Sequence, residues 1–365
     1  MFSEKDLQKL LNHPTQGQVL SVYLNTNPAE VNPEAAKLQL RNLLKSIDLP
    51  KDVQAVENFV DFEYDWAARG LGIFSEQAMG FFQAIPLGLS VADRIHIAEQ
   101  PVIRPLISID ETFKGWGIVL VDKQGARLLS FNNGILDEIA GVTGGEVRQT
   151  KRGGGNAMHG RMGGSDPSAK IENVIEQNIK EVIDSATTFF SHHHIRRIMI
   201  GGSEDNIGRF MEELPKSWQS LVAATFPMSM TANHQEVLEQ AAAEARNKQA
   251  RLSEALVEQA ITLAAKGANG VTGVDDTLNA IREGRVKTML VLDTFEQPGY
   301  RCNGCGLLTG QELQPCPFCG DDFTQIGSAI ERAIQQALNL NAEIKVVKEN
   351  SKLEKAGRIA AILRY

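Results

Sequence analysis

The chain has 365 residues, with 37 Lys and Arg against 45 Asp and Glu for a formal net charge of −8, and is 42% hydrophobic and 22% charged. These are ordinary globular values that exclude a disordered or collagen-like chain, and the length suits two or three domains. Net acidity argues against a DNA coat while leaving RNA contact through a local basic patch open. No apolar run of about 18 residues appears, and the opening MFSEKDLQKLLNHPTQG is charged from its fourth residue. A cytoplasmic protein with no membrane and no DNA partner is the expectation.

Three segments follow in chain order. In the first, 1–100, Leu7, Leu10 and Leu11 share a helical stripe, Val19–Leu24 reads as a strand, and Ala35–Leu44 reads as a second helix. Two short strands follow, joined at Met79-Gly80, and the segment reads as a small α/β domain. In the second, 101–233, Gly117–Asp122 is an apolar strand and Lys123-Gln124-Gly125 supplies turn chemistry toward a hairpin partner, Arg127–Phe131. A loop over 144–165 interrupts the fold. Asp166-Pro167 then starts a long helix whose stripe runs through Ile171, Val174, Ile175, Val182, Ile183, Ala186 and Phe190. Arg197–Gly202 reads as a buried strand. The following Glu204 and Asp205 read as a solvated loop, and His192, His193 and His194 as a helix C-terminal cap rather than a metal site.

The third segment, 234–365, opens on a helix over 235–265. A short helix through Ile281 follows, then the strand Val286–Leu292, a helix over 327–339, the strand Glu343–Val347 and the apolar run Ile359–Leu363. Helices alternating with strands predict a multidomain α/β fold.

All four cysteines fall between 302 and 319, within a segment expected as a metal ribbon over 300–322. Cys302 and Cys305 form one C-x₂-C hook and Cys316 and Cys319 another, separated by ten residues. Each hook sets two thiolates on one tight turn, and two hooks complete a tetrahedral S₄ site for Zn²⁺. Four thiolates leave no open coordination position, so the ion is expected to be structural. Rubredoxin-like iron shares the geometry, and spacing does not separate the two metals. A thioredoxin-type dithiol fits less well, because it needs one hook at a helix start.

The loop is the second unusual stretch. From Val147 to Ser165 it carries Arg148, Lys151, Arg152 and Arg161 with no acid, around Gly153-Gly154-Gly155-Asn156. Such a composition suits a segment that orders against phosphate-rich RNA, although a solvated linker shares it. No P-loop spacing and no Rossmann fingerprint is present.

These residues resemble the archaeal and eukaryotic class 1 peptide-chain release factors and their relative Pelota. Lys151-Arg152-Gly153-Gly154-Gly155-Asn156-Ala157 is similar to that family's basic Gly-Gly-Gln loop. Gly273–Ile281 with the strand to Leu292 resembles the opening of its third domain, and Gly357–Tyr365 its terminal strand, including Ile-Leu-Arg-Tyr. Archaeal members carry a zinc ribbon at the corresponding place. The resemblance implies an RNase H-like central domain and a third domain of the kind found in RNA-binding ribosomal proteins (L7Ae-like). It implies docking in the ribosomal A site against rRNA and peptidyl-tRNA, with a translational GTPase or ATPase as partner.

In the family the loop helps water attack the peptidyl-tRNA ester, which assigns Gly154, Gly155 and Asn156 to catalysis and Arg148, Lys151, Arg152 and Arg161 to RNA. Asn156 stands where the family has Gln. The family's codon-reading Asn-Ile-Lys-Ser is missing, since Asn42-Leu43-Leu44-Lys45-Ser46 has one residue too many and lies on an amphipathic helix. The chain is accordingly expected to resemble the divergent bacterial-type members and to act in codon-independent ribosome rescue. The alternatives are a Pelota-like recognition factor without hydrolysis and an RNA-binding protein acting off the ribosome.

Overall fold

A computed structural model describes residues 2–143 and 167–365. The chain is a multidomain α/β protein with four sheets among the described residues, and it divides into two compact units. One unit joins residues 1–112 to 249–365, and the other comprises residues 113–248.

The first unit begins with α1 (Glu4–Leu11), β1 (Val19–Asn25), α2 (Pro33–Leu44), α3 (Pro50–Asn58), β2 (Gly70–Glu76), β3 (Phe81–Leu87), β4 (Arg94–Ala98) and α4 (Arg104–Phe113). Its four-stranded antiparallel sheet has the order β3-β2-β1-β4. Side chains alternate across a strand, so Leu20, Val22 and Leu24 share one core cluster with Ala36, Leu40 and Leu44 of α2 and Val56 of α3. From the alternate positions, the Tyr23 hydroxyl donates to the Val102 carbonyl at 2.7 Å and the Ser21 hydroxyl accepts from the Val102 amide at 3.0 Å. Burial, with the Glu331 charge adding to it, holds the Tyr23 hydroxyl well above its usual titration range, so it stays a donor. The Asn42–Lys45 stretch ends α2 with Leu44 buried.

The second unit contains β5 (Trp116–Val121), β6 (Gly125–Asn132), β7 (Ile135–Thr143), α5 (Pro167–His192), β8 (Arg197–Gly202), α6 (Glu204–Glu213), α7 (Lys216–Gln219), β9 (Val222–Pro227) and the start of α8 (His234–Ala265). The five-stranded sheet has the order β7-β6-β5-β8-β9. Strands β5, β8 and β9 run parallel, while β6 and β7 form the antiparallel flank. Ile175, Ile179, Val182, Ile183, Ala186 and Phe190 of α5 are buried in one cluster with Val119, Val121, Ile198 and Ile200. The isoleucine, valine and phenylalanine side chains each contribute about 1.5–3 kcal/mol of burial, which makes this stripe the main fastening of α5.

The expected C-terminal cap at the histidines is present. Helix α5 ends at His192, and His194 takes φ +52°, letting the Ile195 amide return to the Phe190 carbonyl at 3.0 Å. Glu204 and Asp205 correct the sequence expectation. They occupy the first turn of α6, whose N-cap Ser203 accepts from the Asn206 amide at 3.4 Å. Acids there complement the helix dipole, which is why they follow the cap directly.

The first unit resumes within α8 and continues through β10 (Gly270–Thr272), α9 (Val274–Arg282), β11 (Val286–Leu292), β12 (Gly299–Cys302), β13 (Leu308–Thr309), β14 (Phe323–Ile326), α10 (Ala329–Asn339), β15 (Glu343–Val347), α11 (Ser351–Lys355) and β16 (Ile359–Leu363). A mixed sheet runs β10-β16-β11-β15, and a three-stranded antiparallel ribbon runs β13-β12-β14. The two stretches that carried the resemblance in this region meet in space. The Gly273 amide donates to Ile359 at 2.9 Å, and a Cβ on Gly357 would lie 2.8 Å from the Gly273 Cα. Gly357 also has φ +97°, so it is doubly required there.

Helix α4 fastens the two halves of this unit. Arg104 and Glu331, 2% and 3% exposed, form an ion pair, and Arg104 Nη1 donates to the carbonyls of Leu292, Asp293 and Phe295 at 3.1, 3.0 and 2.7 Å. Two turns later on the same helix, Glu111 meets Lys345 at 3.0 Å and accepts from Gln249 at 2.5 Å. Outside the pair, Arg94 bonds Asp293 at 2.8 Å and His96 meets Glu296 at 2.7 Å.

Candidate metal centre and the stem of the glycine loop

The ribbon brings the four cysteines together as their spacing predicts. Strand β12 delivers Cys302 and its turn Cys305, while the second hook lies between β13 and β14. The four sulfurs all lie within 4.8 Å of one another, with Cys302 Sγ to Cys319 Sγ at 3.3 Å and Cys305 Sγ to Cys316 Sγ at 3.6 Å. A disulfide needs about 2.05 Å, whereas a tetrahedral ion with 2.3 Å bonds to sulfur spaces its ligands by about 3.8 Å. All four are free thiols, and the set fits one metal ion closed on every side by sulfur.

Local backbone explains why this sequence makes the site. Gly306 and Gly320, each following the second cysteine of a hook, have φ +72° and +80° and close their turns through amides donating to Cys302 and Cys316 carbonyls at 3.1 and 2.9 Å. Gly304 is required for space, since a Cβ there would lie 3.0 Å from Cys319 Sγ and collide with Asp321. Burial opposes a charge on Cys316, yet the Phe318 and Cys319 amides and the neighbouring thiols Cys302 and Cys305 bring its pKa down to about 6. The Asp321 amide favours the Cys319 thiolate, but the hydrogen bonds shared with the other three thiols and burial prevail and push it up to about 12. Sulfurs this close cannot all ionise without a cation between them, which is the electrostatic counterpart of the geometric fit.

The ribbon is docked on α9. Asp275 accepts from the Gly310 amide at 3.1 Å and from Gln311 Nε2 at 3.0 Å, and seven residues on, Arg282 lies 4.0 Å over the Phe318 ring. Phe318 is 58% exposed, and this cation–π contact lies across its ring.

Arg148, Lys151, Arg152, Gly154, Gly155, Asn156 and Arg161 lie outside the described residues. Strand β7 and helix α5 flank them in the sequence. Thr143, at the end of β7, is opposite Gly125 at the start of β6, which is the end of the sheet where the turn Lys123-Gln124 lies. On the other side, Asn178 of α5, 3% exposed, donates to the Lys123 carbonyl at 3.0 Å. Arg209 of α6 pairs with Glu172 of α5 and, at 3.4 Å, with Asp205. Strand and helix flanking 144–166 are thus both fastened near the β5–β6 turn.

Comparison with known proteins places the centre of the chain. Residues 101–246 match the model of bacterial archaeo-eukaryotic release factor family 10. No curated protein matches. Among solved structures, an archaeal translation termination factor, aRF1, is 16% identical, covering 99% of this chain and 97% of that one at a TM-score of 0.28. Archaeoglobus fulgidus Pelota is 11% identical over 81% and 79% at 0.37. Dom34 of S. cerevisiae, described as a translation termination-like factor, is 9% identical over 100% and 92% at 0.43. No helix among the described residues is long and apolar enough to cross a membrane.

Proposed function

We propose that the chain is a divergent bacterial-type member of the superfamily of archaeal and eukaryotic release factors and Pelota, and that it occupies the ribosomal A site and promotes hydrolysis of peptidyl-tRNA without reading a codon. The observation that carries this reading is the family match over 101–246, which spans the cationic glycine stretch. Gly154 and Gly155 leave room for the backbone to enter between packed bases, and their amides stabilise the oxyanion that forms as water attacks the ester. The Asn156 amide orders that water, and Arg148, Lys151, Arg152 and Arg161 neutralise RNA phosphates. The strand order of the central sheet supports an RNase H-like domain, and the mixed sheet of the third segment an L7Ae-like one. The ion at Cys302, Cys305, Cys316 and Cys319 is Zn²⁺, held structurally. A translational GTPase or ATPase assists, in keeping with the superfamily.

The shorter side chain of Asn156 favours one alternative, a Pelota-like factor that occupies the site and recruits a partner without hydrolysis. The test adds the protein to ribosomes carrying labelled peptidyl-tRNA and an empty A site, beside Gly154→Ala and Asn156→Ala. Release by the parent, lowered of order 10²-fold by Gly154→Ala, supports hydrolysis. Binding without release supports the alternative, and failure to sediment with ribosomes at moderate salt leaves an RNA-binding protein acting elsewhere.

A further inference from the structure

Within the first unit, Ala98, Glu99, Gln100, Ser328, Glu331 and Arg332 line a cavity of about 10 Å³, counted as space for the centre of a water-sized sphere. Three buried side-chain atoms of these residues, Glu331 Oε2, Gln100 Oε1 and Arg332 Nε, have no hydrogen-bond partner among the described residues. Buried polar atoms are almost always hydrogen-bonded, so three bare ones on one cavity point to an occupant. The other Glu331 oxygen is engaged by Arg104, and Ser328 Oγ is engaged by the Glu331 amide at 3.2 Å. The bare atoms are thus two acceptors and one donor, beside which the Ser328 hydroxyl keeps its own O–H.

We infer that this cavity is the binding site of a single ordered water that donates to Glu331 and Gln100 and accepts from Arg332. The volume is about that of one water, and three hydrogen bonds are the usual number for a buried one. Charge decides against the competitors. An alkali cation would face the Arg332 N–H at close range, with the Arg301 charge acting on the same side chain, and a halide would face the carboxylates of Glu331 and Glu99 and the Gln100 carbonyl. Only a molecule that both donates and accepts satisfies all three atoms. Its position gives it a role, because it ties the segment after β4 to the first turn of α10 and completes the shell of the Arg104–Glu331 pair. That pair then joins the two halves of the unit through a solvent molecule as well as directly.

The test is a crystal structure of the full chain at about 1.5 Å from rubidium bromide, with diffraction measured at both absorption edges. The expected result is one oxygen peak within about 2.7–3.2 Å of all three atoms and no anomalous peak at either edge. A rubidium or bromide peak, or an empty cavity, overturns the inference. In solution, Gln100→Leu and Arg332→Met should each lower the thermal midpoint by about 2–4 °C and remove the peak. An unchanged midpoint with Glu331 turned onto another protein group would equally refute it.

Discussion

The cysteine ribbon and the α4 junction each gather polar or ionisable side chains at a crossing of chain segments, but they are specified in opposite ways. The ribbon is local, with all four sulfurs inside eighteen consecutive residues and the turns set by Gly306 and Gly320. The junction is long-range, pairing Arg104 with Glu331 across 227 positions and with three carbonyls of 292–295. The first gathers four sulfurs at a spacing that suits one metal ion, and the second rests on mutual satisfaction of desolvated groups. The lesson is that the ribbon should fail by losing a ligand, while the junction should fail by leaving a charge alone.

Four perturbations sharpen that contrast, from the largest effect to the smallest. Cys302→Ser, or chelation of the parent, should take metal content from one ion per chain to none and abolish amide-exchange protection over 299–326 while the sheet of 113–248 keeps its own. Persistence of the ribbon without metal would show that its hydrogen bonds suffice. At the junction, Arg104→Met should destabilise by about 3–5 kcal/mol because Glu331 is left buried and charged, whereas adding Glu331→Leu should recover most of the loss. Denaturant melting of the single and double variants decides it, and equal losses would mean that packing of the arginine stem matters more than its charge.

Two smaller effects follow. Asp275→Ala removes the acceptor of two ribbon donors and should cost about 1 kcal/mol without releasing metal, read as melting midpoint against metal content. Glu111 supplies a pH signature. Burial lifts its pKa above 4.5, outweighing Lys345 and Gln249. The folded chain then holds that proton at pH values where the unfolded chain has lost it, so stability falls as pH rises from about 4.5 through the raised folded value. Glu111→Gln should therefore gain on the parent across that window in pH-dependent melting. A constant difference would argue that Glu111 titrates alike in both states.

Much of the fold was legible where a short stretch carries its own signal. Val19–Leu24, Gly117–Val121, Val286–Leu292 and Ile359–Leu363 are apolar runs too short for helices, and each is a strand. Asp166-Pro167 announced a helix that does include Pro167. Strand β4 escaped because Arg94 and His96 interrupt its apolar pattern, each drawn to a carboxylate at Asp293 or Glu296. Helix α4 escaped because Pro105 and Asp110 obscure its stripe and its fastenings lie more than 130 residues away. Helix α6 carries its signal openly, with Ser203 as N-cap and Glu204 and Asp205 in its first turn, though acids after a glycine turn suit a solvated loop equally well. The gathering of the four cysteines needed only spacing, while the Arg104 junction left no trace in either residue's neighbours.

The proposed function turns on where the glycine stretch lies once the protein is mixed with ribosomes. A density map of the parent bound to ribosomes that retain peptidyl-tRNA beside an empty A site measures this directly. The prediction is density for 152–157 at the tRNA 3′ end, with the Gly155 or Asn156 amide within hydrogen-bond reach of the ester. Density for the protein anywhere other than the A site, or for that stretch folded back on its own sheet with the ester intact, would contradict it.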